Sequence, residues 1–451
     1  MSGLLLLEKD SVLTLTNVST EANLSLALSG AGKLRGVNVG YDGTSTLKTS
    51  IVLAGDNSDF LGTFYFTNTS VRVAHEKGLG TDNTVVFWGQ NGYSGTQPVL
   101  KYAVSGEFDN ALWLHNGGSG LLNVDGACAV TNTGTVYFYG SSSVVRIRTT
   151  GLFAFGGGIV NSHSVTRLSG GNGLNLNGRC AVVGATPQIN AAVQVYADSG
   201  THYWERPVKS ISNGFMFAGG DGNLPSLTFG AANIDVDCSM RLWWNPEFNR
   251  VSYDLNGFDQ QFLNYACYNL GKNRELVLTS SSGPARLTLR GGSGSSTVPA
   301  VKYDGEVSLA IESPVEGATV TLSNRVGEVS GTTGSMLALA GTIQFNDGTR
   351  LPNLSRLVAG KAESEVPAVL RFAGTNISVN RNADIELFGV GKVDVPAGYR
   401  LSVKHAMVNG QDVAPGTYSA ASPDAAGLLS NRILGSGSLV VRGDGFCLIV
   451  F

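Results

Sequence analysis

The 451-residue sequence predicts an all-β fold, a right-handed parallel β-helix (β-solenoid) of about twenty short rungs, on three observations. Apolar residues alternate with polar ones at period two along most of the chain, and no 3.6-residue period accompanies them. The segments joining the alternating runs are too short to hold a crossover helix, so the strands must either fold back as hairpins or wind. The composition is one of strands and corners. It holds 60 Gly against 13 Pro, with 42% hydrophobic and only 14% charged residues, where an average protein carries about 25% charged.

The stretch 51–80, IVLAGDNSDFLGTFYFTNTSVRVAHEKGLG, sets the pattern. It holds three short strands, IVLAG, GTFYFTN and SVRVAHE, each β-branched or aromatic and each bounded by Gly, Asn, Asp or Ser. Its connections, GDNSDFLG and TNTS, are longer and less regular than two-residue Asn-Gly or Asp-Gly loops, which favours winding over hairpins. Before it, SVLTLTNV, ANLSLAL and KLRGVNVGY alternate over 11–50; after it, NTVVFWG, PVLKYAV and ALWLHN continue to about residue 116. TGTVYFYG, SVVRIRTTG, LNLNG at 174–178 and CAVVGATPQI follow. Residues 196–268 form an aromatic-rich segment with larger loops, marked by Tyr203-Trp204 and Trp243-Trp244-Asn245-Pro246. FMFAGG, PSLTFG and NIDVDC keep the strand spacing through it, so one continuous solenoid over 1–451 is expected. In YDLNGFDQQF, Asn256-Gly257 supplies a residue able to take positive φ, at a corner between strands ending at Leu255 and beginning near Phe262. EVSLAIES, ATVTLSN, SMLALAGTIQF, AVLRFAG and IELFG are plain rungs, and 401–451 reads as a C-terminal rung and cap.

Coiling suits these residues. Strands stacked about 4.8 Å apart pair every backbone donor and acceptor within a face, and successive rungs share one apolar column that no single rung could bury. At roughly 20 to 25 residues per rung the spacing implies a rod of about 90 to 100 Å.

Three segments resemble the autotransporter-associated β-strand repeat, also called the passenger-associated transport repeat. The first is Leu28-Ser-Gly-Ala-Gly-Lys-Leu34 with AGDNSDFLGTFYF and the close on Leu79-Gly80. It departs from the family at Phe60-Leu61-Gly62-Thr63, where the repeat has aromatic-Gly-Gly-Thr, and at Gly78, where it has Ala. The second is 253–292, where Asp254, Leu255, Asn256, Gly257, Asp259 and Gln260 sit where the family's Leu-Asp-Leu-Asn-Gly-x-Asn/Asp-Gln segment wants them, ahead of ELVLTSSSGPARLTLRG. The third, MVNGQDVAPGTYSA with ILGSGSLVV, is similar to the terminal rung. The matches cover about a third of the chain. The resemblance implies an exported bacterial β-solenoid, secreted or on the cell surface, whose export signal has been removed ahead of Met1-Ser2-Gly3. The residues left after the terminal rung are too few for a membrane β-barrel.

Several classes of function are excluded. A net charge of −3 and a pI near 6.0 leave no basic footprint for nucleic acid. The run Leu4 to Leu7 is too short for a signal peptide, and no stretch approaches eighteen apolar residues, so membrane insertion is not expected. Cys128, Cys180, Cys238, Cys267 and Cys447 are scattered singly with no C-x-x-C, which argues for packed strand residues and against zinc. Glycine clusters such as Gly156-Gly157-Gly158 introduce no helix, so no phosphate loop and no cofactor is expected. His75, His115, His163, His202 and His405 adjoin no nucleophile, and no G-x-S-x-G occurs.

Parallel β-helices also host polysaccharide lyases and pectin hydrolases, whose Asp-Asp pair and Gly-His-Gly are missing. The densest acids, Asp235 and Asp237 at alternate positions with Glu247 further on, and the aromatics Tyr203, Trp204, Trp243 and Trp244 are the candidate contacts for a polysaccharide or cell-surface glycan. The expected function is a non-enzymatic stalk, adhesin-like passenger or interaction scaffold. The alternative is a carbohydrate-active β-helix that binds or cleaves polysaccharide through those residues.

Overall fold

In the computed structural model the described residues are 3–16, 21–37, 50–88, 99–115, 122–139, 145–161, 173–182, 194–199, 201–204, 215–218, 226–232, 240–243, 250–262, 265–267, 275–290, 296–298, 300–304, 306–313, 317–322 and 334–444. Among them there is no helix, and the strands pair in parallel with others about one turn away in sequence, which is a parallel β-solenoid. The chain divides into two compact units, Met1–Leu227 and Thr228–Phe451.

In the first unit one face stacks seven strands: Val12–Thr16, Lys33–Val37, Thr63–Thr67, Thr84–Trp88, Ala111–His115, Val136–Tyr139 and Ile159–Asn161. Register places Leu34, Phe64, Val85, Leu112 and Val136 in one inward column, all fully buried. A second face stacks Ser50–Leu53, Ser70–Val73, Leu100–Tyr102 and Leu122–Val124, with Ile51, Val71, Leu100 and Leu122 in register against it. Burying each such side chain contributes about 1.5–3 kcal/mol, so the shared column is the main stabilising element of the unit.

The second unit repeats the plan. Leu287, Leu309, Met336, Leu357, Ile385 and Ala406 align through Ala285–Leu289, Val307–Glu312, Gly334–Asn346, Leu354–Ala359, Asp384–Leu387 and Ala406–Val408. Opposite them Val320, Ile343, Leu370, Val393 and Ile433 form a second buried column.

The rungs are fewer than the twenty expected, because a turn is longer than 20 to 25 residues where a corner is enlarged. Ser50 pairs with Ser70, but Lys33 pairs with Thr63 and Leu357 with Ile385. The winding also stops being uniform near the C-terminal end. Val408 and Gln411 pair antiparallel around Asn409-Gly410, whose φ values of 49° and 78° fit a type I′ hairpin, and Gly416–Tyr418 runs antiparallel to Ser438–Val441. The Asn-Gly pair inside what reads as a terminal rung is therefore a hairpin turn.

Among the described residues of the first unit, the buried polar groups sit at corners and strand ends. Asn57, Asn83, Asn110 and Asn132 are at most 2% exposed, one per layer in the first unit. Asn57 accepts the amide of Leu28 at 2.8 Å through Oδ1 and donates to the Gly78 carbonyl at 2.6 Å. Asn83 and Asn110 both donate to the Leu79 carbonyl, at 3.1 and 3.0 Å, and Asn132 donates to the Asn110 and Gly134 carbonyls. Side-chain amides thus close the backbone accounting where the strands stop.

Candidate functional site

Of the residues selected from the sequence for glycan contact, Tyr203 and Trp204 end the strand Thr201–Trp204 of the first unit, where Tyr203 is half-buried. Trp243 ends Met240–Trp243 in the second unit. Trp244, Asp235, Asp237 and Glu247 lie outside the described residues. Of this set only the Tyr203 side chain is described.

The outer aromatics that the structure does pair are others. Trp113 and Tyr137, register partners on successive strands, stack at 4.2 Å between ring centroids and 14° between planes, so each covers a face of the other. Arg35 lies 5.6 Å from the ring centroid of Tyr65, its register partner. Contacts of this kind contribute about 0.5–1.5 kcal/mol each and join one layer to the next. Their signal was present in the outward positions of KLRGV, TFYFT, ALWLH and TVYFY. Only the register shows that the two pairs meet.

The motif around Asn256 is a second place where polar residues join layers. Asn256 and Gly257 have φ values of 50° and 80°, as the corner requires. The Asp254 carboxylate accepts the amides of Asn256 and Ser281, both at 2.9 Å, and the Ser281 hydroxyl at 2.7 Å. Asn256 donates to the Phe229 carbonyl at 3.0 Å and Gln260 to that of Ala231 at 2.9 Å. These polar residues hold one turn against the next.

A groove of about 370 Å³ opens beside this corner, lined by Asp259, Arg286, Glu306, Ser308, Ser335 and Leu337 among others. Arg286, Ser308 and Ser335 are register neighbours on consecutive strands, so their side chains repeat at the strand spacing of about 4.8 Å. Asp259 is committed: one carboxylate oxygen accepts the Arg286 amide at 2.9 Å and the other its guanidinium at 3.2 Å. Glu306, exposed, is the one acid lining the groove that has no partner among the described residues. Hydrolysis of a glycosidic bond ordinarily needs an acid and a base or nucleophile facing each other. The groove offers hydroxyls, one carboxylate without a partner among the described residues, and a clamped ion pair.

Elsewhere, near the C-terminal end, an exposed ion pair shifts both of its members. The Lys404 ammonium, 2.7 Å from Asp444, holds that carboxyl below the usual 3.8, and Asp444 in turn raises Lys404. His405 adjoins the pair, with its ring nitrogens 3.1 and 3.3 Å from carboxylate oxygens of Asp384 and Asp444. Cys128, half-buried, carries no disulfide. Among the described residues no three His, Cys, Asp or Glu side chains are grouped to hold a metal ion. No protein-family model, curated protein or solved structure matches the chain, so its function is argued from the geometry.

Proposed function

We propose that the chain is a non-enzymatic β-solenoid of the secreted or cell-surface kind, serving as a stalk, adhesin-like passenger or interaction scaffold. The observation that carries this reading is the use made of polar and aromatic side chains. The stacked Trp113–Tyr137 pair, the buried asparagines and the Asp254–Ser281 corner all tie one layer to its neighbour. A scaffold needs such axial cohesion. The resemblance of 28–80, 253–292 and 403–441 to the passenger-associated repeat supports the same reading, its surface location included. Proteolysis of intact producing cells tests it: external protease should remove the chain without lysis, and full protection until lysis would overturn the surface assignment.

The groove at Arg286 favours a second reading, in which the scaffold holds a polysaccharide along that face. Retention of the full chain in gels containing neutral polysaccharides should fall for Ser308→Ala with Ser335→Ala. Release of new reducing or unsaturated ends from a polysaccharide panel would replace scaffold with enzyme.

A further inference from the structure

A second concavity of the Thr228–Phe451 unit, about 320 Å³, is lined by Ser378, Arg381, Tyr399, Arg400, Ser402 and Arg442, with Ile377 and Val379 completing it. Among the described residues its lining holds three guanidinium groups and no carboxylate. Tyr399, only 7% exposed and packed 5.6 Å from Phe372, forms a rigid wall. Arg442 is oriented by donating to the Arg381 carbonyl and, at 3.2 Å, to Asn382 Oδ1. The side chains of Arg381 and Arg400 have no hydrogen-bond or ion-pair partner among the described residues. Arg350, exposed and the register partner of Ser378, is equally uncommitted, which extends the positive charge one layer further.

The acids on adjoining segments are engaged elsewhere. Asp384 contacts His405, Asp444 contacts Lys404 and His405, Asp394 pairs with Arg371, and Asp347 accepts the amide of Asn376 at 2.8 Å. Like charges gathered in one concavity raise its potential and draw an anion. Guanidinium is the cation whose paired N–H groups match the two oxygens of a carboxylate or sulfate. We propose that this cleft binds the carboxylate or sulfate groups of an anionic polysaccharide. Charge repeated over neighbouring layers, from Arg350 past Ser378 to Arg400 and Arg442, fits a ligand with repeated charges better than a single ion. Nucleic acid is the poorer fit, since the one aromatic ring of the lining among the described residues, Tyr399, is buried and offers little face to a base. The inference does not depend on the scaffold reading, because the cleft is defined by its own residues.

Affinity electrophoresis of the full chain in gels containing dextran sulfate, polygalacturonate or neutral dextran tests it. Retardation is expected with the two anionic polymers and not with neutral dextran. Replacing Arg381 and Arg400 together by Gln should weaken it about tenfold or more, the loss expected for charge-assisted hydrogen bonds. The charge-matched control Lys33→Gln with Lys101→Gln, in the other unit, should leave it in place. Arg381→Lys with Arg400→Lys should restore part of it, and unchanged far-UV circular dichroism would show that every variant folds. Equal retardation of the wild type and the Gln variant, or none with either polymer, would overturn the site. Inorganic sulfate competing as well, per charge, as dextran sulfate would overturn the polymer assignment, as would tighter binding of duplex DNA than of dextran sulfate.

Discussion

The asparagines of the first unit show how much one side chain can be asked to do. Asn57 satisfies a donor and an acceptor of the backbone at once, whereas Asn110 satisfies one carbonyl that Asn83 also serves, and its own Oδ1 has no donor among the described residues. A buried group left unpaired costs about 1–3 kcal/mol, so Asn57→Ala should destabilise by about 2–3 kcal/mol and Asn110→Ala by nearer 1. Urea unfolding of the two variants checks the order; equal losses would mean the bonds are not what matters there. The Lys404–Asp444 contact is a second residue-scale case. A carboxyl depressed below 3.8 lends its stability above that value and loses it as pH falls through the folded value, and the raised Lys404 does the reverse above 10.5. The tie should therefore be complete across neutral pH. Carboxyl NMR should place the Asp444 midpoint below 3.8, and Lys404→Met should move it back up.

At the scale of an element, corners are more demanding than strands. A side chain at Gly134 would press directly on the Asn110 carbonyl of the preceding layer, while one at Gly257 would find 3.5 Å of room and meet only the strain of a φ of +80°. Gly257→Ala should cost about 1 kcal/mol, and Gly134→Ala distinctly more, because it must push adjacent layers apart. Thermal melts of both variants decide it. The Asn256-Gly257 corner was legible in the sequence because positive φ has a compositional signature, and the strands were legible from alternation. The asparagine corner was not read, although Asp-Asn recurs at 56–57, 82–83 and 109–110. Asn in a turn looks the same whether its side chain points to water or into the stack. The hairpin at Asn409-Gly410 was missed for a related reason: its neighbours resemble a rung, and only the pairing partner tells winding from folding back.

Across a whole unit, stability is a chain of nearest-neighbour terms, since each layer touches those before and after it. In the first unit Leu4–Leu6 pairs, among the described residues, only with Ala27–Ser29, and Leu4 and Leu6 are 70% and 59% exposed. Hydrogen exchange should be fast there and slow in the inner strands Leu100–Tyr102, Ala111–His115 and Leu122–Val124. Leu112→Ala, in the buried column, should cost about 2–5 kcal/mol and raise exchange first in Thr84–Trp88 and Val136–Tyr139, its two neighbours. A uniform rise across the unit would contradict a nearest-neighbour stack.

Composition and period determined by themselves that this protein is built of short strands with glycine and asparagine at the bends, and the length of the connections made them wind. Those are local properties, set by φ, ψ and the alternation of side chains. Which outward residues become neighbours was decided only by the register, because residues about 20 to 30 positions apart meet at one strand spacing and a shift of one exchanges the inner face for the outer. Trp113 meets Tyr137, and Arg381 meets Arg400 and Arg442, through that register and not through closeness in sequence.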